Sequence, residues 1–209
     1  MDNERRRAKE MVKNLSFKEK VEHFLHYYGK YTVLSIIALA VVVYTLVDCM
    51  MQIKYDLHIA YYTCSRVNRE GSEALADSLE PVINDITGNE INDVLVNVNE
   101  ADISKEGYDE MVEAVLTKIP VELSADEYQM YILDSYYLEY FSRAFEGIIE
   151  ESLLISDIPE IRESLGVPEG EELYLVLTSS FEQSKGKKDK AAEHENAVLV
   201  MKYFKNQVK

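Results

Sequence analysis

Tryptophan is absent, and 209 residues hold only two cysteines, four prolines and eight glycines. Two thiols cannot staple a small fold or supply a four-thiolate zinc site. So little glycine and proline excludes collagen-like and Pro/Gly-rich low-complexity chains. Basic side chains are also scarce, 22 Lys/Arg against 38 Asp/Glu, for a net charge of −16. Binding a polyanion needs clustered cations that displace its counterions, so this balance argues against a nucleic-acid partner. A composition 47 % hydrophobic and 29 % charged excludes a wholly disordered chain. The length suits one domain with an appendage.

What is present falls into three unlike pieces. Residues 1–30 carry eight Lys/Arg and five Asp/Glu, a net of +3. The 23 residues between Lys30 and Lys54 contain one charge, Asp48. Residues 55–209 carry 13 basic and 32 acidic side chains, a net of −19. At about 1.5 Å per residue, the apolar stretch 31–53 reaches roughly 34 Å as a helix, just over the ~30 Å hydrocarbon core of a bilayer. Tyr27, Tyr28 and Tyr31 cluster at one end beside Lys30, and Tyr55 stands at the other, as aromatic anchors do at membrane interfaces. The sequence therefore predicts a cytoplasmic basic tail (1–30), a transmembrane helix (31–53) and an extracytoplasmic acidic domain (54–209). Orientation follows from the excess of Lys/Arg on the N-terminal side, which keeps that side cytoplasmic.

A cleaved signal peptide fits poorly, because the basic region is long and no small-x-small site follows the apolar run. Lipidation of Cys49 is disfavoured by Asp48 immediately before it. In the tail, Ser16 and Glu19 have the spacing of a capping box, and Phe17, Val21, Phe24 and Tyr28 form a stripe at helical spacing. Such a helix enters the membrane, lies along its inner leaflet or packs on a partner. Together, Phe17-Lys18-Glu19-Lys20, Phe24, Tyr27-Tyr28 and Tyr31 before an apolar span resemble an uncharacterised family of single-pass membrane proteins from clostridia-like Gram-positive bacteria. The resemblance is strong over about 15 residues. It implies a basic cytoplasmic helix, one span and an external α/β domain, and carries no activity.

The acidic portion alternates between the two periodicities. Strands are expected at 55–62, 93–98, 128–133, 172–177 and 196–204, the last two as an antiparallel hairpin around a polar loop at 179–195. Helices are expected at 73–86, with Pro81 near a break. A second follows Ser104 with Tyr108, Met111, Val112, Val115, Leu116 and Ile119 inward, and others lie at 136–145 and 158–165. This order predicts a three-layer α/β domain with a mixed, mostly parallel sheet of about five strands. It resembles one lobe of a periplasmic solute-binding protein, without the second lobe of a clamp.

Chemical constellations are sparse. Asp85-x-Thr87-x-Asn89 begins like a calcium loop, but Glu90 and Val96 stand where Gly and a bidentate Glu are needed, so a plain turn is expected. His58, Cys64, Glu193, His194 and Glu195 lack zinc-site spacing, and His23 and His26 sit at an interface; no metal and no cofactor are expected. No nucleophile elbow or phosphate-cradling glycine loop occurs. Asp134 ends the third strand, where α/β folds place sites, with Ser135, Tyr136 and Tyr137 beside it; its bland role is an N-cap. The candidate ligand-binding residues are Asp134, Ser135, Tyr136, Tyr62, Asn97 and Asn99, on an edge built from 62–66, 97–102 and 134–137. The lysine-rich run 185–190 reads as a solvated loop, with anionic polymers as the alternative.

The leading expectation is a non-enzymatic, membrane-anchored binding or scaffold module of the cell envelope. Its partners would be the lipid bilayer and another membrane or envelope protein, with a homodimer through Cys49 left open. The alternatives are an extracytoplasmic enzyme acting on wall or lipid substrates with Asp134 as catalytic carboxylate, and a sensor signalling through a partner.

Overall fold

A computed structural model describes residues 16–51, 54–105, 110–179 and 188–208. The chain divides into two compact units, Met1–Ile53 and Lys54–Lys209. In the first, helix α1 runs Phe17–Met51. Ser16 and Glu19 cap it reciprocally, Ser16 N–H donating to Glu19 Oε2 (2.8 Å) and Glu19 N–H to Ser16 Oγ (3.4 Å). The 18-residue window Tyr28–Thr45 is long and apolar enough to cross a membrane, and none of it is buried against protein. Two polar side chains within it are satisfied by the helix itself: Thr32 Oγ1 donates to Tyr28 O and Thr45 Oγ1 to Val42 O. Such bonding to the preceding turn satisfies the hydroxyls without solvent. The side chains of Tyr27, Cys49 and His23 lie outside the described residues.

The second unit is an α/β domain around a five-stranded mixed sheet. Its strands are β1 (Leu57–Thr63), β2 (Val94–Glu100), β3 (Met130–Asp134), β4 (Ile149–Leu154) and β5 (Leu173–Thr178). The spatial order is β2-β1-β3-β5-β4. Pairs β1–β2 and β1–β3 are parallel, whereas β3–β5 and β5–β4 are antiparallel. The sheet is thus half parallel, not mostly so.

The helices are α2 (Arg69–Leu79), α3 (Glu110–Ala125), α4 (Ser135–Ala144), α5 (Pro159–Leu165) and α6 (Lys188–Gln207). Strand alternation sends Leu57, Ile59, Tyr61, Met130, Ile132, Leu173 and Leu175 to one face, where they pack with apolar residues of α2, α5 and α6. Ala60, Tyr62, Tyr131, Leu133 and Val176 go to the other, against Val112, Val115, Ile119, Tyr137 and Phe141 of α3 and α4. Burying both faces explains why β1, β3 and β5 read as nearly unbroken apolar runs.

Four expectations are corrected. Residues 196–204 are not a strand but the core-facing half of α6, with Ala197, Val200, Met201 and Phe204 buried at helical spacing. No terminal hairpin follows, and β5 instead pairs with β3 and β4. The fifth strand is β4, whose Glu-Glu-Ser centre and register shift between Ile149 and Glu151 hide it from pattern reading. The expected helix 73–86 starts earlier, at Arg69, and ends at Leu79. Pro81 then sits in a single 3₁₀ turn, Glu80–Val82, that takes the chain out of the helix. Met111 is exposed, not inward, and Tyr108 lies outside the described residues.

Polar side chains buried among these elements tie α6 to the sheet. β3 begins opposite Ile59, so His58 N–H lacks a strand partner and donates to Glu193 Oε1 (3.2 Å), as His58 Nδ1 also meets Glu193 Oε1 at 2.9 Å. Burial opposes charge on Glu193, but hydrogen bonds from His58 and Lys190 outweigh it and hold the carboxyl below its ordinary range. Asn196, fully buried, accepts from Asn84 N–H and donates to Asn84 O and Asp56 O.

Candidate functional site

The chain leaves β1 through α2 to reach β2 on one side. It then returns through α3, on the opposite face, to β3 on the other side of β1. The carboxyl ends of β1 and β3 are therefore where the strand order reverses, the place at which open α/β sheets leave a crevice. A cleft of about 360 Å³ lies there, lined by Cys64, Asp134, Ser135, Tyr136, Gly170, Glu171 and Glu172. Its floor is Asp134, almost wholly buried. Asp134 Oδ1 accepts from Tyr137 N–H (2.9 Å), capping α4, and Oδ2 accepts from Cys64 N–H (2.6 Å), tying β1 to β3. Both oxygens are thus engaged by backbone donors.

The far wall is the turn 168–172 leading into β5. Antiparallel pairing sets Leu173 opposite Asp134 and so brings this turn to the strand ends. Gly170 adopts φ +88°, a left-handed conformation that side-chain-bearing residues rarely hold. Arg162 of α5 fixes the turn from beneath, donating to Pro168 O (2.7 Å), Glu171 O (3.0 Å) and Ser156 O (3.0 Å). Ser65 Oγ donates to Glu171 Oε1, and Tyr174 O–H (2.6 Å) and Ser135 Oγ (3.3 Å) donate to Glu172 Oε2. Three carboxylates consequently share one small opening.

Their field acts on the neighbours. Burial first, then the charge of Asp134, pushes the Cys64 thiol up to about 12. At neutral pH it is a thiol, not a nucleophilic thiolate. Tyr61 is held neutral far above its usual range by burial and by Asp134, Glu171 and Glu100. Among the described residues no group of three His, Cys, Asp or Glu is placed to hold a metal ion. The Asp85 carboxylate is used by its own turn, accepting from Gly88 N–H (2.6 Å) and Glu90 N–H (2.9 Å).

Asp134, Ser135 and Tyr136 thus stand together at the strand ends. Tyr62, Asn97 and Asn99 do not join them. Tyr62 is fully buried against α3 and donates to Glu122 Oε2. On the same face, Asn97 donates to Tyr128 Oη (2.9 Å), and Asn99 Oδ1 accepts from Lys118 Nζ (3.0 Å). One residue's shift along a strand changes the face it serves. Of the expected interface residues, Tyr28, Lys30 and Tyr31 are exposed on α1, and Tyr55 packs edge-on against His58. Sequence reasoning missed Gly170, Glu171, Glu172 and Arg162. Antiparallel pairing delivers the 168–172 turn to the end of β3, and that adjacency leaves no local pattern in the sequence.

Asp134→Ala leaves the N–H groups of Cys64 and Tyr137 without their acceptor. It should cost about 3 kcal/mol, combining a lost cap with a buried unsatisfied donor. Asp134→Asn keeps one acceptor oxygen and should cost about 1 kcal/mol. Thermal melts followed by circular dichroism will read this as a fall of roughly 6–12 °C against roughly 2–4 °C. Equal melting of Asp134→Ala and the parent would show that the two bonds carry no stability.

No family model matches the chain, and no curated protein or solved structure is significantly similar to it, so function must be argued from the site and the two units.

Proposed function

We propose that the chain is a membrane-anchored binding module, its basic N-terminal segment cytoplasmic and its acidic α/β domain outside the cell. The carrying observation is an 18-residue apolar window with no protein cover, in a helix belonging to a different compact unit from the α/β domain. In water such a surface, with Leu34, Ile36, Ile37, Leu39 and Val41–Val43 all exposed, would aggregate. In lipid it is the required state. The eight Lys/Arg on one side against few on the other set the direction.

Binding rather than turnover is supported by the cleft's own groups. The Asp134 oxygens hold backbone, and the Cys64 thiol is pushed away from ionisation. Glu171 and Glu172 are paired with hydroxyls, not with an imidazole or ammonium that would set up acid–base exchange. Carboxylates and hydroxyls converging on about 360 Å³ suit a small neutral or cationic ligand rich in hydrogen-bond donors. Envelope localisation, with a second envelope protein as associate, belongs to the same proposal.

The test is topology in intact bacterial cells expressing the chain with a tag at each end. Trypsin added outside should remove the C-terminal tag and spare the N-terminal one, while the protein stays with membranes through alkaline carbonate washing. Protection of the C-terminal tag, release into the aqueous phase, or recovery only of a chain cleaved after the apolar run would overturn the proposal.

A further inference from the structure

The sheet has two edges, and they are built differently. Edge strand β4 carries Glu150 and Glu151, a register shift, and an ion pair from Glu151 to Lys205 of α6. These are devices that stop an edge from recruiting another strand. Edge strand β2, Val-Leu-Val-Asn-Val-Asn-Glu, has none of them before Glu100. Its ladder to β1 is continuous over seven residues with no shift.

Backbone direction along β2 follows from its ends. Asp93 O accepts from Asp56 N–H, and Ala101 N–H donates to Thr63 O, so odd-numbered residues face β1. Because the direction alternates, the N–H and C=O groups of Val94, Val96 and Val98 point out along the open edge. Beside that edge runs a groove of about 610 Å³. Its floor is the 94–98 strand and its wall is the exposed side of α2, with Arg69, Glu73 and Asp77. Among the described residues Glu73 and Asp77 form no ion pair.

We infer that the β2 edge is a docking site for an extended segment of a partner protein that carries Lys or Arg at alternate positions and adds as a sixth strand. The outward-facing Val94, Val96 and Val98 backbone groups, unpaired among the described residues, supply the ladder. Spacing supplies the charge pattern. Glu73 and Asp77 are four residues apart on a helix, about 6 Å along its axis, and side chains two apart on a strand are about 6.8 Å apart on one face. Two basic residues at i and i+2 therefore meet the two carboxylates in register. A second copy pairing through its own β2 does not fit, because that strand offers no Lys or Arg and brings a second acidic α2 with it.

The probe is a fluorescently labelled peptide, acetyl-Lys-Val-Lys-Val-Lys-Val-Lys-amide, titrated into the full chain in non-ionic detergent. Saturable binding is expected, with slowed amide exchange confined to β2. The double variant Glu73→Lys/Asp77→Lys, surface changes that leave the core untouched, should weaken it about tenfold or more. Val96→Pro, which removes an outward N–H together with part of a side chain packed on the core, should do the same while lowering the melting temperature modestly. Should Val96→Pro fold poorly, the charge-reversal pair decides alone. Equal binding of the Glu-for-Lys peptide or of a scramble with adjacent lysines would overturn the proposal. So would unchanged affinity in the charge-reversal pair, or self-association of the full chain through this edge.

Discussion

Between about pH 10 and 12 the α/β domain should lose its fold in one cooperative step, and the cause is its buried tyrosines. Tyr61, Tyr62, Tyr128, Tyr131 and Tyr137 are all buried. Burial raises each above the ordinary value of 10.0, Tyr128 to about 12 and the other four further. Neighbouring carboxylates push the same way, Glu122 on Tyr62, Tyr128 and Tyr131, and Asp134 on Tyr61 and Tyr137. A raised folded-state value means stability that is complete below pH 10 and drains as pH climbs, because the unfolded chain releases protons that the folded chain retains. Each group contributes about 1.4 kcal/mol per pH unit in that window, so five together reach about 7 kcal/mol per unit. A stability of about 5–15 kcal/mol is exhausted within one or two units. Cys64, raised from 9.0 to about 12, starts the loss slightly earlier.

The measurement is tyrosinate absorbance alongside circular dichroism. The buried set should ionise together, in step with loss of the domain's ellipticity. Tyr131→Phe gives the sharpest control. The Tyr131 hydroxyl is buried without a hydrogen-bond partner, so removing it should leave neutral-pH stability equal or higher by about 1 kcal/mol and move the alkaline midpoint upward. Smooth ionisation of the buried five near pH 10 with unchanged ellipticity would contradict the account.

How far the sequence carried this picture is clearest from the elements it misassigned. In residues 196–204, Val198, Leu199 and Val200 invite a strand, since β-branched and large apolar residues in a row have no visible polar side. Yet Glu193, Asn196, Ala197, Val200, Met201 and Phe204 all fall on one helical stripe and are all buried. The stripe escapes a hydrophobicity reading because its first two members are polar, held inside by His58, Lys190 and Asn84. β4 was illegible for the opposite reason: an edge strand with a register shift buries too little to leave an alternating pattern. The capping box of α1 and the strands β1, β2, β3 and β5 were readable, because local chemistry and face-by-face burial dictate them. At the site, Asp134 was legible as a strand-end N-cap. Its bond to Cys64 N–H was not, because adjacency of β1 and β3 is a property of strand order.

Gly71→Ala should destabilise the domain by about 3 kcal/mol, although helix propensity alone argues for a gain of 0.5–1 kcal/mol at a helical glycine. A Cβ at Gly71 would lie 1.8 Å from the carbonyl oxygen of Ser164 and 2.5 Å from its carbon. Those are backbone atoms of α5, so no side chain can turn aside. The helices must part, drawing Leu75, Ala76 and Leu79 away from the shared core with Ile161 and Leu165. Three bonds cross the same seam: Asn68 N–H to Leu165 O, Asn68 Nδ2 to Ser164 O and Ser164 Oγ to Gly71 O. The melting temperature should fall by roughly 6–12 °C, whereas Ala74→Gly on the exposed side of α2 should cost no more than about 1 kcal/mol. An unchanged or higher melting temperature for Gly71→Ala would mean that α2 and α5 slide without loss. The seam also reaches both surfaces described above. α2 is the wall of the β2 groove, and α5 carries Arg162, which holds the 168–172 turn of the strand-end cleft. A methyl group at position 71 should therefore speed amide exchange in that turn and weaken peptide docking at β2 together, whereas Asp134→Asn should disturb the cleft alone.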